Sequence, residues 1–197
     1  MRIVLNSHQL QQATGRAFAA RVAEAEHLAA AYVAAAGLPA PERRAARKAA
    51  QLEAARRRAS GVWPTLDRVV VDAVRQRISQ PDMAEFLDAA PDAGAGLAGR
   101  RTGTPRRMYT ESLSITLPVD LVAQLRGISA ARSQPALRVI AVLEYQRTAG
   151  ALSRAEYRTR VAEAATGIWT PARIVREALE ALPPLSPVDE PAAPAAT

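Results

Sequence analysis

The hydrophobic period changes partway through residues 112–145, and in no other stretch of this chain. Leu113, Ile115 and Leu117 alternate with Ser112, Ser114 and Thr116, which is the two-residue repeat of a strand with one buried face. Pro118 ends that repeat. Leu121, Val122, Leu125 and Ile128 then fall on one helical face, and Pro118 and Asp120 suit a helix start. A second helix is expected after a turn at Arg132-Ser133, with Ser133 as its cap, Pro135 in its first turn, and Leu137, Ile140, Val142 and Leu143 on its apolar side. A lone strand this short is unstable in water, so another strand must pair with it.

Composition limits what can surround this unit. Of 197 residues 49% are hydrophobic, but many are alanine and only 4% are aromatic, so a core must come from Leu, Val and Ile on closely packed helices. The expected class is mainly α. No apolar run approaches membrane-spanning length and the first residues do not resemble a signal peptide, which predicts a soluble cytoplasmic protein with no membrane partner. There is no cysteine, and His8 and His27 are too isolated for a metal site. No phosphate-cradling glycine loop, nucleophile signature or buried carboxylate cluster is present, so no enzyme activity, cofactor or metal is expected. Asp67, Asp72 and Glu177 lie among arginines and read as helix-surface pairs. The net charge of +7 favours a polyanionic partner, most often nucleic acid.

Taken in order, residues 1–88 read as a helical repeat that opens with a short strand, RIVL at 2–5, and a cap at Asn6-Ser7. An alanine-rich helix runs to Ala36, interrupted near Gly15 or His27, with Phe18, Val22, Leu28, Tyr32 and Val33 as its larger apolar residues. Residues 41–60 form a helix in which Arg43, Arg44, Arg47, Lys48, Arg56, Arg57 and Arg58 outnumber Glu42 and Glu53. A short helix at 79–88 is anchored by Met83, Phe86 and Leu87. Residues 89–111 have linker composition and end in a basic cluster of Arg100, Arg101, Arg106 and Arg107. Residues 112–182 form the C-terminal unit, with its last helix ending at Leu182, and residues 183–197 form a disordered Pro/Ala tail.

The two halves echo each other. Residues 60–74, SGVWPTLDRVVVDAV, match residues 166–179, TGIWTPARIVREAL, once a single residue is skipped after Trp63. Tyr32 precedes Ala36-Gly37 by the spacing at which Tyr145 precedes Ala149-Gly150, and RIVL at 2–5 then falls on SITL at 114–117. Such self-similarity points to tandem copies of one unit. The first copy would supply the missing strand, with Ile3 and Leu5 packed inward beside Ile115 and Leu117, and Arg2 and Val4 joining Ser114 and Thr116 outside. Trp63 and Trp169, each just ahead of a helix, would staple its start to the core.

Over about thirty-five residues, the strand, the Leu117-Pro118 pair, the Leu121-Val122 helix and the helix carrying Val139-Ile140 resemble the ribbon-helix-helix family of DNA-binding proteins. That resemblance implies two antiparallel strands entering the DNA major groove, with Ser112, Ser114 and Thr116 facing the bases. Where that family usually carries Arg, Lys, Asn or Gln, this chain has hydroxyls, which serve either base of a pair and so discriminate weakly.

The expectation is therefore a mainly α, ribbon-helix-helix-like protein with a short two-stranded antiparallel β-ribbon and additional helices, a homodimer or a single-chain tandem-repeat pseudo-dimer. It would bind DNA as a transcriptional regulator or a plasmid or phage accessory factor. Arg2, Val4, Ser112, Ser114 and Thr116 would read bases, and Arg100, Arg101, Arg106 and Arg107 would anchor phosphates. RNA is the alternative polyanion, and a helical protein-protein assembly factor of antitoxin-like or virion-associated type is the alternative function.

Overall fold

The computed structural model describes residues 2–87 and 111–185, so most of the expected linker and the tail from 186 onward lie outside the described residues. Among the described residues the chain is mainly helical, with one two-stranded antiparallel sheet. The order is β1 (Arg2–Leu5), α1 (Ser7–Ala34), α2 (Ala40–Ser60), α3 (Leu66–Ile78), the short α4 (Pro81–Ala84), β2 (Glu111–Ser114), α5 (Val119–Thr148), α6 (Arg154–Ala165) and α7 (Pro171–Glu180).

The strand ahead of Pro118 finds its mate at the other end of the described chain. Arg2 stands opposite Ser114, Ile3 opposite Leu113, Val4 opposite Ser112 and Leu5 opposite Glu111. Pairing therefore starts at Glu111, earlier than the alternation had suggested, while alternate burial continues to Leu117. Ile3, Leu5, Leu113, Ile115 and Leu117 are buried beneath the ribbon, against Val70 and Val74 of α3, Leu121, Leu125 and Ile128 of α5, and Ile174, Val175 and Leu179 of α7. Burying one such side chain completely is worth roughly 1.5–3 kcal/mol, so this underside fixes which ribbon face points outward.

Local signals set the helix ends. Asn6 caps α1 by accepting the Gln9 N–H at 2.8 Å, and the Gln9 side chain returns to the Asn6 N–H at 3.2 Å. Gln9 is itself buried, and its amide donates to Glu180 at 2.8 Å, tying α1 to α7. Gly61 ends α2 with φ +84°, a left-handed conformation that a side chain would strain. Thr65 caps α3 by accepting from Arg68 N, and Thr170 caps α7 by accepting from Arg173 N. One turn on, Arg68 pairs with Asp72 at 2.8 Å and Arg173 with Glu177 at 3.2 Å. In both places the expected surface pair forms.

Three expectations need correction. The turn at Arg132-Ser133 does not exist: α5 runs unbroken through Ser133 and Pro135. Ser133 caps nothing; its buried hydroxyl donates to Ser129 O and accepts the Trp169 N–H at 2.9 Å. Burial of Ile128 and Ala130 before the proline and of Ala136 and Leu143 after it holds the helix together despite the missing N–H, tertiary packing overriding a local break. Second, α1 is not interrupted at Gly15 or His27, and Phe18, Val22 and Val33 face outward. Its buried face is Gln9, Gln12, Ala13, Ala17 and Ala20, small enough in its middle for neighbouring helices to approach closely. Third, α7 stops at Glu180 and the helix after α3 is a single turn, although Met83 is fully buried as an anchor.

A polar clamp joins the two halves. Arg77 of α3 donates to both carboxylate oxygens of Asp82, at 2.8 and 2.9 Å, and to Glu177 of α7 at 3.0 Å. Arg132 of α5 reaches Asp82 at 3.0 Å from the other side, and its guanidinium lies 3.8 Å from the centre of the Trp169 ring. The hydrogen bond from Arg77, backed by Arg132, holds the Asp82 carboxyl at about 2, below its ordinary 3.8. The ionised form is thus favoured by folding, a contribution complete above pH 4 and lost as pH falls through 2. Half of the Asp82 side chain is exposed, so solvent screening leaves about 1 kcal/mol. Urea unfolding should show Asp82→Asn less stable than the parent by about that amount at pH 5, with the gap closing near pH 2. An equal gap at both pH values would mean that the carboxylate charge contributes nothing.

Candidate nucleic-acid interface

The outer ribbon face follows from the same alternation that builds the core. Ser112, Ser114 and Thr116 are exposed on it, beside Val4, which is 43% exposed. Arg2 holds the ladder position opposite Ser114, and Val4 the one opposite Ser112. The structure therefore places four of the expected site residues, Arg2, Val4, Ser112 and Ser114, on the paired strands, and Thr116 just beyond the end of β2. Directly opposed residues in an antiparallel pair project to the same side, so a ligand at this face would meet both strands. Arg100, Arg101, Arg106 and Arg107 lie outside the described residues.

Beyond the paired stretch, the strand edge is closed by a side chain that the sequence reading placed elsewhere. The Thr116 N–H donates to Asp67 Oδ1 of α3 at 3.2 Å. Asp67 was expected to pair with an arginine on its own helix; instead it satisfies a backbone donor where the ladder runs out. No periodicity in residues 60–74 signals this role, because the partner lies far away in sequence. The Arg77, Asp82, Arg132 and Glu177 clamp was equally invisible, with Arg132 assigned to a turn.

The outer ribbon face carries hydroxyl and aliphatic groups. Hydroxyls at Ser112, Ser114 and Thr116 can donate to or accept from base edges, and Val4 offers apolar contact to a thymine methyl. Elsewhere, a cleft of about 470 Å³ opens between α1 and α3 beside Trp63, lined by Arg16, Ala20, Val69 and Asp72 among others. Its charges are of both signs, and Arg16 is engaged by the Pro183 carbonyl. Among the described residues there is no cluster of His, Asp or Glu able to hold a metal ion, and no helix is long and apolar enough to cross a membrane. No protein-family model, curated protein or solved structure matches this chain.

Proposed function

We propose that this chain is a non-enzymatic DNA-binding protein that lays the outer face of its β-ribbon in the major groove, as a transcriptional regulator or a plasmid or phage accessory factor. The observation that supports the reading is an open, hydroxyl-bearing ribbon face held rigid by a fully apolar underside. The ribbon would be a single-chain version of the one that ribbon-helix-helix proteins build from two subunits, and the two halves would be copies of one unit. Leu5 and Leu117 each precede the cap of a long helix, and that same offset carries Arg2 onto Ser114. Those two residues face each other in the ladder, as they would if a two-fold axis through the Arg2 and Ser114 pair related two copies of one unit. The unbroken α5 removes the helix start expected at Ser133, and with it one helix N-terminus that could have held a phosphate. Phosphate anchoring then falls to Arg100, Arg101, Arg106 and Arg107.

Selection from a random duplex library, with anisotropy measured across a salt series, tests this. Log affinity should fall with log salt by about 0.9 for each phosphate neutralised. Ser114→Ala with Thr116→Ala should change which sequences are selected while leaving affinity for random duplex nearly unaltered, and Arg106→Ala with Arg107→Ala should weaken all sequences alike. A salt-independent isotherm, or an unchanged selection in the ribbon variant, would remove the reading. A specific observation favours the assembly alternative: Phe18, Val22 and Val33 of α1 and Val139, Val142 and Tyr145 of α5 are exposed apolar side chains along two long helices.

A further inference from the structure

We infer that α2 is a second phosphate-contacting surface, apart from the ribbon, which holds the backbone of duplex DNA without regard to sequence. This goes beyond the ribbon reading and does not depend on it. The basic residues of α2 are Arg43, Arg44, Arg47, Lys48, Arg56, Arg57 and Arg58, against Glu42 and Glu53. Some are already engaged: Arg57 pairs with Glu53 at 2.9 Å, Arg58 reaches Glu24 of α1 at 3.5 Å, and Arg47 lies over the Tyr32 ring at 5.2 Å. Arg44, Lys48 and Arg56 are exposed and pair with no carboxylate among the described residues.

Those three are spaced by four and eight positions, so with Leu52 between them they form one row along the helix. At about 1.5 Å per residue the row is about 18 Å long. Like charges so placed repel; the nearest acid, Glu53, stands beside the row next to Arg56, and its carboxylate is hydrogen-bonded by Arg57. Exposed Ala45, Ala49, Ala55 and Ala59 flank it, leaving the cationic tips unobstructed. The complement of such a row is a line of regularly spaced negative charge with little apolar demand. Duplex DNA carries one charge per about 1.7 Å of axis and fits that description. An acidic protein surface would need apolar or hydrogen-bonding complementarity, for which the row offers only Leu52.

Position separates this face from the ribbon. α2 packs chiefly on α1, which leads away from β1 for about 42 Å at the usual helical rise. The arm thus carries charge to duplex that the ribbon does not touch.

The test is a salt titration of the full chain on random-sequence duplex. Arg44→Gln, Lys48→Gln and Arg56→Gln together should lower the slope of log affinity against log salt by about 2.7, and Lys48→Gln alone by about 0.9. These side chains make no ion pairs, so helicity by circular dichroism should be unchanged. Arg154→Gln, Arg158→Gln and Arg160→Gln on α6 remove the same net charge and should change the slope by less than about 1. Equal loss in both triple variants would show that net charge alone matters and would overturn the proposal. So would competition by polyglutamate as effective as by DNA. Loss of the α2 effect with sequence selection intact removes only this inference, whereas loss of selection with the α2 effect intact removes only the ribbon reading.

Discussion

Leu5→Ala should destabilise the protein by about 2–5 kcal/mol, whereas Val4→Ala, one residue away, should cost no more than about 0.5 kcal/mol. Leu5 is fully buried in the core under the ribbon, and truncating it leaves a cavity among residues already held by β1, β2, α3, α5 and α7. Val4 points outward from the same strand. For a chain of this length each kcal/mol corresponds to about 2–4 °C in the midpoint of a thermal melt, so the two variants should separate by several degrees or more. If they melt together, the inside-outside alternation on which the ribbon face depends is wrong. The DNA consequence runs the other way: Val4→Ala should alter sequence selection in a protein that remains folded.

The second large effect is expected at Trp169. Its ring centre lies 3.8 Å from the Arg132 guanidinium and 4.1 Å from that of Arg173, and its backbone N–H is held by Ser133. Trp169→Ala removes a large packing surface and both cation contacts, which together should cost about 3 kcal/mol. A double-mutant cycle with Arg132→Ala separates the cation contact from the packing. Arg132 is mostly shielded and is also tied to Asp82, so a coupling of about 1–2 kcal/mol is expected. Additive losses, measured by urea unfolding, would show that the stacked geometry adds nothing beyond buried area.

The parts of the fold that were legible in the sequence are those whose cause is local. Alternation at residues 113–117 gave the buried and exposed faces, Asn6 marked a helix start, each tryptophan marked a helix just ahead, and Asp72 and Glu177 found arginines one turn away. The candidate ribbon face at Val4, Ser112, Ser114 and Thr116 was legible for the same reason. What failed was decided by distant partners. Ser133 and Pro135 look like a helix start in isolation, but burial on both sides of the proline and the Trp169 N–H that Ser133 accepts are set by distant parts of the chain. Phe18 and Val22 look like core until α1 is seen to bury its alanines, because close helix approach favours the smaller side chains. Asp67 and Arg132 act across the fold, where no spacing could announce them.

Because β1 comes from residues 2–5 and β2 from residues 111–114, the ribbon is assembled within one molecule and cannot be diluted apart. The same wiring delays it during synthesis. Ile3 and Leu5 have no strand to cover them until more than a hundred further residues have emerged, an interval of roughly 5–20 s at ordinary translation rates. Until then the β1 edge has no partner strand within its own chain, and an unpaired edge is where two nascent chains can associate.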